Sequence, residues 1–505
     1  MRSRLVPLVA LTAAFLGSAC HSANGTSADS PVTTTAATTP GADAGTTTAE
    51  VIRVAPDPAV SLTTLAISSG TLVPDFDPDV IEYSLTSMTS LAPITVTATT
   101  TSAAASVAVN GATAVSGAPL ARSFAPDEDV SVVVKSGADS RTYTIHYRPS
   151  DLPTYTVKND GRAGGERVLL TPSNKWLLMV DRAGAPLYYR ASPGSSATDF
   201  EAHRLPDGTL VYSALFGTGY TAWTLGKSVV MDESLHDIAE VTLLPNRGHG
   251  ALPSEGHDFL VLDHDHYVAM SYVQRTVDLH QADARWSTAA PVMAAVVQEV
   301  DHGSVVLEWD SADAPTLYTD SVDGNAFTSN VVSDYVHLNS IDVDPRDQNL
   351  VLSLRHTDSI LKIDRHTGKT IWTLGGRSDE FDLTAAQRFS HQHHVRVQAD
   401  GSLLVFDNGN NAHATRVLSF VLDEEGHEVE DFHVVAAKPA DDPQTLFMGS
   451  AVQVSGDRTL VGWGGWSTIP ASSPPSVTEL IAGTPSWSLT FDAPNVFSYR
   501  ALPVL

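Results

Sequence analysis

The sequence predicts an all-β protein in which a six-bladed β-propeller follows a small β-sandwich. Short apolar stretches alternate with turn residues along most of the chain, which holds 34 glycines and 29 prolines among 505 residues. One pattern, a turn followed by an apolar strand, recurs six times within residues 151–505. Short strands repeated at intervals of roughly 40–55 residues are typical of the blades of a propeller.

The first twenty residues have the features of a secretory signal. Arg2 and Arg4 precede an apolar run from Leu5 to Leu16, which is shorter than the ~20 residues of a membrane-spanning helix. Small residues lead to Cys20, and the segment resembles a bacterial lipoprotein lipobox, with its leucine one position further from the cysteine. The sequence therefore predicts a periplasmic or cell-envelope lipoprotein lipidated at Cys20. Ordinary signal-peptidase cleavage beside an incidental cysteine stays open.

Residues 21–55 are predicted to be a flexible linker. Residues 21–50 are almost all Ser, Thr, Ala, Gly, Asp and Pro. Such a composition cannot bury enough apolar surface to fold. Behind a lipid anchor, the linker would hold the folded domains away from a membrane.

The overall composition excludes several classes of protein. The chain has 58 acidic and 30 basic residues, a formal charge of −28, whereas a protein that tracks nucleic-acid phosphates is basic. Hydrophobic residues make up 42% and charged residues 17%, which indicates a folded protein. Because Cys20 is the single cysteine, the chain cannot form an internal disulfide and depends on its core.

Residues 56–150 are predicted to form the β-sandwich. Strands of alternating polarity begin at Ile94, Ser106, Val130 and Tyr143, and Asn110-Gly111 is a hairpin-turn signal. The opening of the segment resembles the cadherin-like sandwich modules of exported bacterial proteins through Leu62, Leu65, Gly70, Leu72, Pro74, Phe76, Pro78 and Tyr83. The resemblance implies a spacer or adhesion module without chemistry of its own.

Residues 151–505 are predicted to form the propeller. The six repeats begin at Arg167, His203, His257, His337, His393 and Gly449. Hairpins from an Asp to a Gly, such as Asp364 to Gly368 before Trp372, are interpreted as outer strands of the same blades.

Four of the six repeats begin with a histidine, at positions 203, 257, 337 and 393. Equivalent positions of successive blades surround the channel at one depth, so we expect these side chains to converge on the propeller axis. A single histidine at a strand start is usually structural. Several at equivalent positions predict a functional site.

The sequence around these histidines resembles the bacterial arylsulfotransferases. The motifs are Asp334-Tyr-Val-His337-Leu-Asn339, Leu352-Ser-Leu-Arg355-His, Ser390-His-Gln-His393-His and Val405-Phe-Asp-Asn-Gly409. The resemblance is strongest over residues 330–410 and continues from about 160 to 500. It implies an exported enzyme on a six-bladed propeller that moves a sulfuryl group between phenols through a sulfohistidine, independently of PAPS.

The resemblance assigns roles to individual residues. His393 matches the nucleophile, and His257, His337 and Arg355 match the residues that hold the sulfuryl oxygens and manage the proton of the phenolic oxygen. Asn339 is a weaker substrate-binding candidate, and no role is assigned to His203. Which of His257 and His337 is the general acid and base stays open. The partners implied are an aryl sulfate donor and a phenol acceptor, with no cofactor and no metal; a homodimer is left open.

These residue types suit sulfuryl transfer on chemical grounds. Negative charge in the transition state lies on the sulfuryl oxygens and the departing phenolate, which fixed cations and donors stabilise. Arg355 supplies a planar fork for oxyanions. A nucleophilic His393 must be neutral, which a nearby arginine favours, and a second histidine can carry the proton at ambient pH.

The interval between His257 and His337 is longer than its neighbours. The additional sequence, from Gln274 to Asn330, includes Trp286, Tyr318 and Phe327. Insertions of this kind often form the rim of a channel. One hypothesis is that these aromatic residues shape the acceptor pocket; an excursion on the far face is the alternative.

Three other functions are weighed against this prediction. A metal site is suggested by Asp263-His-Asp-His266 and His391-Gln-His393-His394, but no carboxylate or cysteine recurs at ligand spacing. A propeller can also be a non-catalytic binding scaffold. Aryl sulfate hydrolysis needs the same site with water in place of the phenol. Glycine-rich phosphate loops are absent from the sequence, so a nucleotide donor is not indicated.

Overall fold

The structure is a computed structural model that describes residues 55, 57–68, 71–86, 94–122, 129–146, 152–184, 186–219, 223–410, 412–439, 442–466 and 469–505. Cys20, the predicted signal and nearly all of the predicted linker lie outside these residues. Within the described ranges, no helix is both long and apolar enough to cross a membrane.

The first described domain is a two-sheet β-sandwich. Its strands are β1 (Leu62–Ile67), β2 (Thr71–Val73), β3 (Glu82–Thr86), β4 (Ile94–Thr100), β5 (Ser106–Val109), β6 (Ala112–Ala114), β7 (Pro119–Arg122), β8 (Val130–Ser136) and β9 (Asp139–His146). One sheet has the order β1-β4-β7 and the other β2-β3-β9-β8-β5-β6. In β4, Ile94, Val96 and Ala98 are buried while the residues between them are half-buried, as the alternating sequence predicts.

The remaining strands form the propeller. From blade 6 into blade 2 they are β10 (Tyr155–Asn159), β11 (Val168–Pro172), β12 (Trp176–Val180), β13 (Pro186–Ala191), β14 (Ser196–Arg204), β15 (Leu210–Thr218), β16 (Leu225–Met231), β17 (Asp237–Val241) and β18 (Ser254–Glu255). Blades 3 and 4 contain β19 (Phe259–Asp263), β20 (His266–Val277), β21 (Ala290–Asp301), β22 (Ser304–Asp310), β23 (Leu338–Val343), β24 (Leu350–Leu354), β25 (Ser359–Ile363) and β26 (Thr370–Gly375).

Blades 5 and 6 complete the ring. Their strands are β27 (His393–Val397), β28 (Leu403–Asp407), β29 (Arg416–Asp423), β30 (Glu428–Ala437), β31 (Thr445–Phe447), β32 (Ser450–Ser455), β33 (Arg458–Gly462), β34 (Gly465–Trp466), β35 (Val477–Ile481) and β36 (Thr484–Phe491), followed by β37 (Ser498–Pro503). The described helix α1 (Thr316–Asp320) and the 3-10 turns Ser311–Asp313 and Arg355–Thr357 lie between strands.

Six blades result, as the repeats predict. Blade 1 is β37-β11-β12-β13, blade 2 is β14 to β17 with β18, blade 3 is β19 to β22, blade 4 is β23 to β26, blade 5 is β27 to β30, and blade 6 is β32-β33-β35-β36 with β10. The innermost strands β37, β14, β19, β23, β27 and β32 contact one another in succession and close the ring. Strands such as β24 and β28 are buried throughout because neighbouring blades cover both faces.

The two ends of the propeller chain are joined into shared sheets. The C-terminal strand β37 is the innermost strand of blade 1, where Leu169 pairs with Leu502. The first propeller strand β10 is the outermost strand of blade 6, where Val157 pairs with Leu489. The ring is therefore closed at two blades by strands distant in sequence, which fixes the last residues of the chain beside the channel.

One part of the repeat alignment is wrong. His257 lies two residues before the inner strand of blade 3, and His337 directly precedes that of blade 4. His393 is the first residue of the inner strand of blade 5. His203 instead lies near the end of β14, just before the Asp207-Gly208 turn. Because β14 is longer than the other inner strands, His203 does not lie at the same depth in the channel as the histidines that begin the other repeats. His203 lies at the opposite end of the channel.

Candidate active site

Three histidines from blades 3, 4 and 5 meet at one end of the channel. The ring of His257 lies 5.0 Å from that of His337 and 5.8 Å from that of His393, measured between centroids. All three are buried. The propeller thus brings together residues that are far apart in sequence, as the repeat pattern predicts.

His393 has a free nitrogen in this cluster. Its Nδ1 donates to the carbonyl oxygen of Gly449 at 2.8 Å, and its buried Nε2 has no hydrogen-bond partner. Because a carbonyl only accepts, Nδ1 carries the proton and the lone pair of neutral His393 lies on Nε2. Burial, reinforced by the charge of Arg500 and by His257, lowers the pKa of His393 well below its usual value.

A glycine is required at the residue that fixes this tautomer. Gly449 has a φ of 103°, and a Cβ there would lie 2.3 Å from the Phe406 ring. The bend turns the Gly449 carbonyl towards His393. The sequence pattern located this glycine as the start of the sixth repeat without showing what its carbonyl does.

His257 is paired with a buried carboxylate. Its Nδ1 and its backbone N–H both donate to Oε2 of Glu255, at 2.8 and 2.9 Å. The other oxygen of Glu255 accepts from the backbone N–H of Thr224 at 3.1 Å. The Glu255 carboxylate therefore accepts three hydrogen bonds and fixes the orientation of the His257 ring.

His337 has a similar partner, with a different charge balance. Its Nδ1 lies 2.6 Å from Oδ2 of Asp334. Burial, together with the charges of His257 and Arg355, lowers the pKa of His337 well below its usual value, while burial raises that of Asp334. His356 packs on the His337 ring at 4.6 Å. Burial therefore disfavours charge on both members of this pair.

Arg355 adds a guanidinium to the same pocket. It begins the 3-10 turn after β24, and its backbone N–H donates to the carbonyl of His337 at 3.0 Å. Its Nη2 donates to the carbonyl of Leu446 at 3.0 Å, and its Nη1 lies 4.0 Å from Asp323. The remaining donors of the fork are available to an anion in the pocket.

The pocket above these residues has a volume of about 520 Å³. Its walls contain the three histidines and Arg355, and its apolar lining comes from Trp223, Phe447, Met448, Phe497 and Tyr499. Phe447 and Phe497 lie edge to face at 5.9 Å. A buried, donor-rich floor below aromatic walls suits a ligand with an anionic head and an aromatic body.

Asn339 is not in this pocket. It is fully buried, and its Nδ2 donates to the backbone carbonyl of Gln392, the residue before His393, at 2.8 Å. The pairing of β23 shifts between Leu338 and Ser340, so Asn339 does not follow His337 onto the pocket face. Asn339 does not line the described pocket, and it instead fixes the backbone that leads into His393.

The insertion between His257 and His337 does not supply the aromatic wall. Trp286, Tyr318 and Phe327 pack against one another and against Tyr335, outside the residues that line the pocket. The hypothesis that they shape the pocket is therefore wrong. The insertion contributes a carboxylate instead: Asp323 lies 3.7 Å from His356 and 3.3 Å from His391.

Two neighbours of the histidines were missed by sequence reasoning. The ring of Tyr499 lies 5.3 Å from that of His393, and its hydroxyl donates to the carbonyl of His257 at 2.8 Å. The guanidinium of Arg500 lies 5.0 Å from the Tyr499 ring. Both residues belong to β37. Treating the C-terminal strand as the missing inner strand of the first repeat would have found them.

The histidine runs considered as metal ligands are divided among separate partners. His264 contacts Asp207, and His266 contacts Glu299. Within the described residues, Asp334, His337 and His356 bring ligand atoms within 4.8 Å of one another. A metal there would compete with the hydrogen bond between His337 and Asp334 and lie beside Arg355, so we assign none, and the metal-free site stays a prediction.

The described arrangement combines four chemical functions. It has a neutral imidazole with a free nitrogen, a histidine able to hold a proton, further donors for an oxyanion, and an apolar space for a ring. Such a set fits group transfer to and from a nucleophilic histidine.

One family model spans the blades that carry these residues. The family model described as Arylsulfotransferase (ASST) matches residues 201–471, which include His257, His337, Arg355 and His393. The model described as Cadherin-like beta sandwich domain matches residues 58–149. No curated protein matches the chain.

Solved structures with similar folds are distant. A protein of unknown function from Bacteroides caccae aligns with a TM-score of 0.37 and 10% identity, covering 67% of this chain and 99% of its own. Virginiamycin B lyase from Staphylococcus aureus aligns with a TM-score of 0.32 and 9% identity, covering 85% and 100%. Kluyveromyces lactis Hsv2 gives 0.27 and 10%, covering 78% and 90%. These scores support no inference about activity.

Proposed function

Because the chain belongs to the arylsulfotransferase family and is therefore a sulfotransferase, we propose that it moves a sulfuryl group from a phenolic sulfate ester to a phenol by a two-step, PAPS-independent route through His393. The observation that carries the proposal is the unpartnered, buried Nε2 of a neutral His393 beside two carboxylate-paired histidines and an arginine.

In the first step the lone pair of His393 Nε2 attacks the sulfur of the aryl sulfate. The sulfur–oxygen bond to the ring breaks, and the bonding pair leaves with the phenolic oxygen. The imidazole, still protonated on Nδ1, becomes a sulfohistidine whose positive charge faces the Gly449 carbonyl. Arg355 and a protonated His337 donate to the sulfuryl oxygens, where negative charge gathers.

The departing oxygen needs a proton when the phenol is a poor leaving group. We assign this proton to His257, because its Nδ1 is bonded to the Glu255 carboxylate, which leaves Nε2 to exchange a proton with the phenolic oxygen. His337, whose pKa is held low in the empty pocket, gains a proton more readily once an anion is bound beside it.

In the second step a phenol occupies the place of the departed product. Neutral His257 takes the hydroxyl proton, and the phenol oxygen attacks sulfur as the nitrogen–sulfur bond breaks. The bonding pair returns to His393 Nε2, so the enzyme ends in its starting state. Ping-pong kinetics follow, because the first product leaves before the acceptor binds.

The decisive experiment measures phenol release from 4-nitrophenyl sulfate with and without an acceptor phenol, in the absence of PAPS and added metal. We expect acceptor-stimulated release, with a kcat reduced at least about a thousandfold in His393→Asn. His203→Asn is the matched control, because this buried histidine lies at the other end of the channel and bonds to Ser213. It should retain wild-type turnover.

The alternatives give other results in the same assay. Release that ignores the acceptor indicates aryl sulfate hydrolysis. Silence across a broad panel of aryl sulfates, by protein that is folded, contradicts catalysis and favours a binding scaffold. Acid-labile sulfuryl label on wild-type protein but not on His393→Asn would support the sulfohistidine.

Export and lipid attachment are also proposed, on the N-terminal sequence alone. Arg2, Arg4 and the apolar run before Cys20 support them. In a bacterial host, labelled palmitate should be incorporated into the wild-type chain and not into Cys20→Ala. Equal labelling of both would contradict lipidation at this residue.

A further inference from the structure

An acidic cluster fills the channel beyond the catalytic histidines. Its acidic residues lie in the inner strands of blades 2 and 4 or directly before that of blade 3. They face two arginines, one from the inner strand of blade 5 and one from that of blade 1. The carboxylates are Asp199, Glu201, Asp258 and Asp342, and the guanidiniums are Arg396 and Arg500. With four acids against two arginines, the ionised cluster retains two negative charges.

Two of the four carboxylates accept hydrogen bonds on both of their oxygens. Asp258 accepts from Arg396 at 2.9 and 3.1 Å, from Arg500 at 3.1 Å and from the N–H of Ile341 at 2.9 Å. Asp342 accepts from the backbone N–H groups of Val343 and Val397, each at 2.8 Å. Both side chains are therefore satisfied on both oxygens.

The other two carboxylates each have one buried oxygen that accepts no hydrogen bond. Arg500 bonds to Oδ1 of Asp199 at 2.6 Å, which leaves the buried Oδ2 without a partner in a residue that is 2% exposed. Oε2 of Glu201 is also buried without a hydrogen bond, 3.6 Å from Arg396. Buried carboxylate oxygens without a partner are costly unless a ligand is bound to them.

We propose that a divalent cation with a preference for oxygen ligands, represented by Ca²⁺, binds between Asp199, Glu201 and Asp258. Ligand oxygens of these three residues lie within 4.8 Å of one another, the separation that one Ca²⁺ with bonds of about 2.4 Å can bridge. The donors are oxygens alone, which favours Ca²⁺ over softer metals. Two positive charges match the excess of the cluster.

The site has a route from solvent. Glu201 and Asp342 also line a cavity of about 400 Å³ at the far end of the channel, opposite the catalytic pocket. Water from this cavity completes the coordination of the ion.

A second acidic trio in the described chain provides the contrast. Asp344, Asp347 and Glu424 also bring ligand oxygens within 4.8 Å, but the ammonium of Lys362 lies between them at 2.7, 2.8 and 2.7 Å. That trio already holds its cation. The two trios differ in that Lys362 bonds to all three of its acids, whereas neither Arg396 nor Arg500 donates a hydrogen bond to Asp199 Oδ2 or Glu201 Oε2.

The test is calorimetric titration of Ca²⁺ into the purified full-length protein after treatment with a chelator. We expect one bound ion per chain and a rise in the thermal unfolding midpoint, because the ion binds the folded state alone. Glu201→Gln should weaken binding at least tenfold and lose most of that rise. Asp347→Asn, in the trio held by Lys362, should bind as the wild type does.

Each outcome decides the proposal. No Ca²⁺ binding by wild-type protein, with no change in its midpoint, overturns it. Undiminished binding by a folded Glu201→Gln protein also overturns the assignment. If Glu201→Gln does not fold, Asp199→Asn takes its place, and undiminished Ca²⁺ binding by that variant overturns the assignment. A wild-type stoichiometry other than one ion per chain also overturns it. The measurement does not use turnover, so its result is independent of the proposed sulfuryl transfer.

Discussion

The two ends of the propeller channel hold similar residue types in opposite states. At the catalytic end, His393 Nε2 is unpartnered and Arg355 keeps free donors towards the pocket. At the far end, Arg396 and Arg500 are engaged with buried carboxylates. The open donors of Arg355 at one end are available to a substrate, whereas the guanidiniums at the other end are bound by carboxylates and hold the inner strands together.

The two ends are nevertheless coupled through Arg500. Its guanidinium bonds Asp199 and Asp258 and lies 5.0 Å from the ring of Tyr499, which in turn packs on His393. The positive charge of Arg500 contributes to the low pKa of His393. Arg500, at the far end of the channel, therefore helps to keep His393 at the catalytic end neutral.

The largest contrast is expected between Arg355 and Arg396. Arg355→Lys should lower kcat/KM by about a hundredfold, because an ammonium cannot reproduce the planar fork at the sulfuryl oxygens. Its thermal unfolding midpoint should stay near that of the wild type. Arg396→Lys should instead lower the midpoint, since Asp258 loses a two-bond partner. Steady-state kinetics and thermal unfolding of both variants measure this; equal catalytic loss in the two would break the comparison.

A smaller effect is expected at Glu255, which acts through His257. Glu255→Gln should lower kcat about tenfold for aryl sulfates with poor leaving groups and less for 4-nitrophenyl sulfate, whose phenolate leaves without a proton.

Glu308→Gln is the matched control for Glu255. The Glu308 side chain is also buried and bonds to a histidine, His249, at 3.1 Å, but it lies outside the catalytic pocket. It should leave the leaving-group dependence unchanged. A loss in Glu255→Gln that is equal for all leaving groups would indicate a purely structural role.

The pH dependence of the first step should report the low pKa of His393. The nucleophile is active when neutral, so lowering its pKa extends activity towards acid. With 4-nitrophenyl sulfate, the burst of phenol release should persist at pH 6, and its acid limb should lie below about 6.5, the ordinary value for histidine. Rapid-mixing measurements between pH 5 and 8 test this. A midpoint at or above the ordinary value would contradict a nucleophile held neutral by burial.

The sequence predicted the features of the fold and the site that repeat from blade to blade, and it did not predict the features that occur once. The six blades and the convergence of His257, His337 and His393 follow from periodicity, because symmetry converts spacing into position. Tyr499 escaped this reasoning because β37 completes a blade that begins more than three hundred residues earlier. Neither the spacing of the repeats nor the local sequence shows that the C-terminal strand pairs with β11.

Local irregularities explain the individual errors. Asn339 follows a shift in strand register, and His203 lies at the wrong end of an extended β14. Glu255 and Asp334 stand only two or three residues before their histidines, yet nothing in the sequence shows which side chains turn back to pair. Such contacts depend on rotamers and packing that periodicity does not describe.

The smallest effect concerns the pocket aromatics and separates them from those of the insertion. Phe447 lines the pocket and is 39% exposed, so Phe447→Ala should raise the KM for the acceptor phenol about fivefold to tenfold, the effect of about 1 kcal/mol of lost ring contact. Trp286 packs on Phe327 at 4.6 Å, outside the pocket, and Trp286→Phe should leave the acceptor KM unchanged. Acceptor titrations at saturating donor measure both. A change of acceptor preference in Trp286→Phe alone would restore the insertion as the pocket wall, whereas the expected pattern assigns ring recognition to the residues beside the catalytic end of the channel.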